Sequence, residues 1–203
     1  TGKGGKDCKD CEAGKYKSTP GSAACSVCPP RMTTREAGAI ECLCIAGYEQ
    51  DGSGCVACDI GKYKPDVGSE LCTTCTGFAT TASDESKKIT DCVCNAGYHG
   101  DHDGCAPCEI GKYKASAGSE LCSTCTAFST TLSAAATSVS SCVCAAGYTG
   151  DHTGCSICER GKYKDSVGAA PCTHCAANSN TVSAGSVSSG LCQCNAGYHG
   201  GDQ

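Results

Sequence analysis

The residues able to do chemistry in this chain are overwhelmingly cysteines, 24 among 203 residues. They stand at 8, 11, 25, 28, 42 and 44, then 55, 58, 72, 75, 92 and 94, then 105, 108, 122, 125, 142 and 144, then 155, 158, 172, 175, 192 and 194. Each set spells Cys-x2-Cys-x13-Cys-x2-Cys-x(13 or 16)-Cys-x-Cys, and no cysteine is left over for private chemistry. Two chemistries suit thiols so spaced. They can pair as disulfides, or two Cys-x2-Cys knuckles such as Cys55/Cys58 and Cys72/Cys75 can cage a tetrahedral zinc ion. A zinc cage leaves Cys92 and Cys94 idle, and the same positions of every other unit with them. Cysteine is about 12% of the chain, above the roughly 8–10% that marks a disulfide scaffold. Composition therefore favours disulfides and an oxidising, extracellular or cell-surface setting. A thioredoxin-like redox role needs a βαβ context that the sequence lacks.

The other reactive side chains form no constellation. The histidines are His99, His102, His152, His174 and His199, and none recurs in all units. No nucleophile or paired carboxylate stands at fixed spacing from them, so the sequence offers no catalytic site. Asp101-His-Asp103-Gly104 could offer oxygens to calcium, but the third unit has Thr153 at the second position. Calcium takes 6–8 oxygen ligands, and solvated turn residues are the simpler reading. No cofactor is expected.

The elements that must hold these cysteines form a fourfold repeat, with successive first cysteines 47, 50 and 50 residues apart. The expected repeats are residues 1–54, 55–104, 105–154 and 155–203. Gly-Lys-Tyr-Lys recurs around Tyr16, Tyr63, Tyr113 and Tyr163, and Ala-Gly-Tyr around Tyr48, Tyr98, Tyr148 and Tyr198. Those eight are every tyrosine in the chain. Their recurrence predicts packing or interface roles, with Tyr63 set against the preceding Tyr48 at a joint and the flanking Lys stems shielding the ring. Ile, Leu, Val and Phe together number 22, about 11% of the chain. So few apolar residues cannot build a large core or a deep pocket, and cross-links must stand in for one. Short extended segments and turns are expected, with Gly47, Gly97, Gly147 and Gly197 at positive-φ corners and no helix of useful length.

One segment of each repeat drifts in length and composition: 29–41, 76–91, 126–141 and 176–191. Such drift marks an exposed loop. Phe78 and Phe128 open two of these loops and are placed to pin them, where the other repeats have Arg31 and Asn178. The third loop carries nine Ser/Thr in 16 positions. Thr130, Thr131, Ser133, Thr137 and Ser138 are therefore candidate acceptors of O-linked glycans.

Net charge is −5, from 16 Lys+Arg against 21 Asp+Glu. That leaves no basic patch to track a phosphate backbone, so nucleic acid is an unsuitable partner. No apolar run approaches about 18 residues, so nothing in this stretch reads as a membrane span.

The stretch Cys92-Val-Cys94-Asn-Ala-Gly-Tyr98-x6-Cys105 resembles the C-terminal half of an epidermal-growth-factor-like module, as do 42–55 and 142–155. The wider pattern, with Gly-Lys-Tyr between the cysteine pairs, is similar to the cysteine-rich region of ephrin-type receptors over essentially the whole chain. The resemblance implies a small, disulfide-rich, mostly irregular fold with short β-hairpins, its tandem EGF-like modules forming an elongated rod. It also implies bonding first to third, second to fourth and fifth to sixth cysteine, counted from the second cysteine of each unit. The bonds would be Cys11–Cys28, Cys25–Cys42 and Cys44–Cys55, then Cys58–Cys75, Cys72–Cys92 and Cys94–Cys105. The third and fourth units would follow with Cys108–Cys125, Cys122–Cys142, Cys144–Cys155, Cys158–Cys175 and Cys172–Cys192. Only two residues then separate modules, Val56-Ala57 or Ala106-Pro107, which predicts stiff joints. Cys8 and Cys194 would be left for bonds between fragments or repeats, as if the chain were cut from a longer array. The first functional expectation is a non-catalytic structural subunit that self-associates into an extracellular filament, flagellar hair or wall fibre. The alternative is a rigid spacer or binding ectodomain of a cell-surface receptor or adhesion protein. Such modules serve many functions, so fold alone does not choose between them.

Overall fold

The structure is a computed structural model that describes residues 7–52 and 54–200. It divides into two compact units. One runs to Val93 and takes in Asp101–Gly104; the other comprises Cys94–Gly100 and the chain from Cys105 onward.

Four of the two-stranded antiparallel hairpins lie wholly within the first unit. They pair Lys15–Tyr16 with Ser26–Val27, Met32–Thr33 with Leu43–Cys44, Tyr48–Gln50 with Cys55–Ala57, and Lys62–Tyr63 with Thr73–Thr74. The second unit repeats the plan. Lys112–Tyr113 pairs with Ser123–Thr124, Ser129–Thr131 with Cys142–Cys144, and Tyr148–Asp151 with Gly154–Ile157. Lys162–Tyr163 with Thr173–His174 and Ser179–Thr181 with Cys192–Cys194 complete it. Strands of two to four residues cannot bury an apolar face of their own, so each hairpin depends on a covalent tie. The described residues include short 3-10 turns and no α-helix. None of their helices is long and apolar enough to cross a membrane.

The core is made of cystine. Cys58, Cys94, Cys108 and Cys144 are fully buried, while Ile60, Leu71, Ile110 and Leu121 are all more than half exposed. Disulfides thus occupy the interior that aliphatic side chains fill in larger domains.

In every repeat the first two bonds are exchanged relative to the pairing that the resemblance implied. Cys58 bonds Cys72 and Cys75 bonds Cys92, in place of Cys58–Cys75 and Cys72–Cys92. The first repeat has Cys11–Cys25 and Cys28–Cys42 in place of Cys11–Cys28 and Cys25–Cys42. Cys108–Cys122 and Cys125–Cys142 replace Cys108–Cys125 and Cys122–Cys142, and Cys158–Cys172 and Cys175–Cys192 replace Cys158–Cys175 and Cys172–Cys192. The remaining bonds are Cys44–Cys55, Cys94–Cys105 and Cys144–Cys155. The physical reason lies in the strand Thr73–Thr74. Side chains alternate along a strand, so two cysteines three residues apart face opposite ways. Cys72 therefore turns back to Cys58 across its own hairpin, at a Cα separation of 5.7 Å, and Cys75 turns forward to Cys92 at 5.8 Å. Both distances suit an unstrained bridge. Cys8 and Cys194 are exposed.

Candidate functional site at the joints between repeats

Where one repeat meets the next within a unit, a backbone ladder closes over a buried lysine. In the first unit Gly47 N–H donates to Lys64 O at 2.9 Å, Cys58 N–H to Gly47 O at 2.9 Å, and Gly68 N–H to Cys44 O at 3.0 Å. The loop of the second repeat folds back to join them, through Lys64 N–H to Ser86 O and Glu85 N–H to Cys58 O, both at 3.1 Å. The second unit builds the same ladder with Gly147, Lys164, Gly168, Gly185 and Ser186.

Lys64, Lys114 and Lys164 are only 3–4% exposed. Their ammonium groups donate to backbone carbonyls of two successive repeats. Lys64 Nζ donates to Tyr48 O at 2.8 Å and to Gly68 O at 2.6 Å. Lys114 Nζ donates to Tyr98 O at 2.9 Å, to Cys94 O at 3.4 Å, and to Gly118 O. Lys164 Nζ donates to Tyr148 O at 2.9 Å, to Cys144 O at 3.3 Å, and to Gly168 O. A buried cation survives only when its donors are occupied, and here carbonyl oxygens do the work of water. Burial lowers the pKa of Lys64 and Lys164 from the ordinary lysine value, and Glu70 and Glu49 oppose the fall at Lys64. In the first repeat the matching Lys17 is half-buried.

The second lysine of Gly-Lys-Tyr-Lys is thus the residue that sequence reasoning missed. Its recurrence in all four repeats was the available signal, but a cation beside a tyrosine reads as a surface stem. The first lysine behaves in that surface manner. Lys15, Lys62, Lys112 and Lys162 pair with Glu12, Asp59, Glu109 and Glu159 across the preceding turn, at 2.7–3.3 Å. Hydrogen bonding to the lysine holds the Glu12, Glu109 and Glu159 carboxyls below the ordinary glutamate range.

The tyrosines divide by position. Tyr16, Tyr63, Tyr113 and Tyr163 are half-buried in their hairpin strands. Tyr48 is 6% exposed, and its ring and hydroxyl meet Arg31 and Glu85. The Arg31 guanidinium lies 5.2 Å from the ring centroid, and the hydroxyl donates to the Glu85 carboxylate. That bond, followed by burial, raises the Tyr48 pKa. Tyr148 stacks on Phe128, with centroids 4.4 Å apart and planes 7° from parallel. Tyr98 is half-buried, and Tyr198 is 57% exposed. The Phe128 pin expected at the loop start is therefore present, and Arg31 takes its place in the first repeat. Arg31, Phe78, Phe128 and Asn178 all sit at φ of 60–65°. A side chain in that left-handed region carries a backbone cost, which at Arg31 and Phe128 the ring contact offsets.

The loops rest on a buried hydroxyl. Thr131 is 2% exposed; its Oγ1 accepts from Gly111 N–H at 3.0 Å and donates to Ser133 O at 2.8 Å. Thr34, Thr81 and Thr181 accept the corresponding glycine N–H. Burial removes Thr131 from the candidate glycan acceptors, because an attached sugar would have to occupy protein volume. Thr130 is half-buried, Ser138 caps the turn Val139–Ser141, and Ser133 and Thr137 are exposed. In the hairpin tips, Asp101 accepts Asp103 N–H at 3.0 Å and Asp151 accepts Thr153 N–H at 2.8 Å. These carboxylates close their own turns. Among the described residues no group of three His, Cys, Asp or Glu is placed to hold a metal ion.

Gly147 is fixed by both space and dihedral. Its φ is 81°, and an added Cβ would lie 2.5 Å from Gly185 O. Gly147→Ala should cost about 2–4 kcal/mol, the left-handed penalty plus overpacking. Gly197 has a similar φ of 89° with open space around it, so Gly197→Ala should cost at most about half as much. Paired thermal melts of the two variants check this, and equal shifts would show that the close approach contributes nothing.

Residues 1–42, 47–92, 97–142 and 147–192 each match the family described as tyrosine-protein kinase ephrin type A/B receptor-like. The frame of the last three matches opens at Gly47, Gly97 and Gly147, the glycines on which the joint ladders turn. With eleven disulfides among the described residues, these repeats point to an extracellular or cell-surface location. Four matches spanning nearly the whole sequence place this chain in the tyrosine-protein kinase ephrin type A/B receptor-like family.

Proposed function

We propose that the chain is a non-catalytic segment of a cell-surface receptor or adhesion ectodomain, acting as a stapled spacer that sets the separation of the parts it joins. The observation that carries the reading is the lysine-clamped joint inside a fourfold run of ephrin-receptor-like repeats. A spacer needs joints with a defined geometry, and three buried ammonium groups bridging successive repeats supply one. Repeats taken as 1–54, 55–104, 105–154 and 155–203 are the working units of that spacer. Self-association into a filament and O-linked glycans at Ser133 or Thr137 draw no support from the family or from the joint geometry.

Two measurements test the reading. Antibodies raised against the folded chain should label intact, unpermeabilised cells. Electron micrographs of the native material in non-reducing buffer should show dispersed single particles. Labelling only after permeabilisation, or regular filaments with an axial repeat, would overturn it.

A further inference from the structure

The joints are not chemically alike. The joint between the first and second repeats is ringed by charge. The Tyr48 hydroxyl donates to Glu85, Arg31 lies over the Tyr48 ring, and Asp84 adjoins Glu85 on the same loop. Around Lys64, Arg35 Nε donates to Val67 O at 2.8 Å and pairs with Glu70 at 3.5 Å. Glu49 accepts Cys72 N–H at 2.6 Å, and Asp66 also acts on Lys64. On the same loop, Lys87 and Lys88 give their backbone N–H groups to Asp91 at 2.9 and 2.8 Å.

The joint between the third and fourth repeats has the same backbone ladder without that charge. Thr149, Ser166, Ala170, Ala184 and Gly185 stand where the other joint has Glu49, Asp66, Glu70, Asp84 and Glu85. Phe128 and Leu132 stand for Arg31 and Arg35, and Val187 and Ser188 for Lys87 and Lys88. The Phe128–Tyr148 stack replaces the Arg31–Tyr48 contact, Gly185 offers no carboxylate where Glu85 stands, and Asp165 adjoins Lys164 in sequence.

We propose that the joint between the first two repeats is an acid-opened hinge, while the joint between the last two stays closed under the same conditions. The inference is independent of the spacer reading, because it concerns the local stability of two joints rather than what the chain serves. At neutral pH five carboxylates balance Arg31, Arg35 and Lys64. Acid removes the carboxylate charge and leaves Arg31 and Arg35 beside the buried Lys64 ammonium, and the Tyr48 hydroxyl loses its charged acceptor. A charge-assisted hydrogen bond is roughly twice as strong as a neutral one, so the bond weakens as the repulsion grows. The sign follows from Glu70, whose carboxyl lies below the ordinary glutamate range through its own backbone hydrogen bond and the neighbouring Arg35 and Lys64. A depressed carboxyl stabilises the folded joint above its unfolded value, and that contribution is lost as pH falls through the folded value.

Amide hydrogen exchange, expressed as protection relative to the intrinsic rate at each pH, tests the proposal on the intact chain. The first joint is read by the N–H groups of Gly47, Lys64 and Gly68, and the last by those of Gly147, Lys164 and Gly168. Between neutral pH and about pH 3.5, protection at the first set should fall about tenfold or more, with less than about a twofold change at the second. A Glu70→Gln, Glu85→Gln variant should begin with lower protection at the first set and lose at least about half of its acid response on a logarithmic scale. A parallel fall at both joints would mean general acid unfolding and would overturn the proposal. An undiminished acid response in the variant would overturn it as well.

Discussion

Replacing Lys164 by Met should loosen the joint between the third and fourth repeats by at least about 3 kcal/mol, whereas Lys162→Met should cost under about 1 kcal/mol. The two lysines are two residues apart in one strand and turn, and their environments are opposite. Lys162 is on the surface, pairing with Glu159 at 3.0 Å, and exposed pairs contribute little. Lys164 is 3% exposed and donates to the carbonyls of Cys144, Tyr148 and Gly168. Methionine would fill much of the space but leave these carbonyls buried without the ammonium donor. Each hydrogen bond to a charged group contributes about 1.5–3 kcal/mol, and a stranded buried acceptor adds a desolvation cost of about 1–3 kcal/mol. Limited proteolysis and amide exchange at Gly147 and Gly168 N–H read the loss directly. Equal effects of the two substitutions would show that burial of Lys164 carries no stability.

Full reduction of the disulfides at neutral pH should abolish the fold, while a strong chelator should leave it intact. The arithmetic is one-sided. A native bridge in a small secreted domain contributes about 2–5 kcal/mol, and these bridges also constitute the buried core. With no aliphatic interior to fall back on, hairpins of two to four residues per strand cannot persist alone. Reduced material should lose hairpin amide protection and be digested about a hundredfold faster or more. Retention of protease resistance after reduction and mild warming would refute the staple argument. Unfolding by chelator alone would restore zinc as the cross-link.

Much of this architecture was legible in advance because cysteine position is a covalent constraint. A fourfold repeat and a deficient apolar core could be read from spacing and composition, and the short hairpins from the resemblance to a known module. The partners within each bonded set could not. Cys72 and Cys75 are interchangeable as letters, and only the extended backbone of Thr73–Thr74 decides that one faces Cys58 and the other Cys92. The glycan reading failed at Thr131 for a similar reason. A threonine in a run of hydroxyl residues looks solvent-facing until its Oγ1 is found holding Gly111 N–H.

The joints mark the same boundary. That Gly-Lys-Tyr-Lys and Ala-Gly-Tyr matter follows from their fourfold recurrence alone. That Lys64, Lys114 and Lys164 are buried cations, and that Tyr48 answers to Arg31 and Glu85 where Tyr148 answers to Phe128, depends on residues brought together from different repeats. Spacing along the chain sets covalent reach and repeat period, so the sequence by itself determined the modules and their staples. Burial and direction are properties of how a repeat meets its neighbour, so only the tertiary structure decided which sulfurs pair, which lysine is enclosed and which joints carry charge.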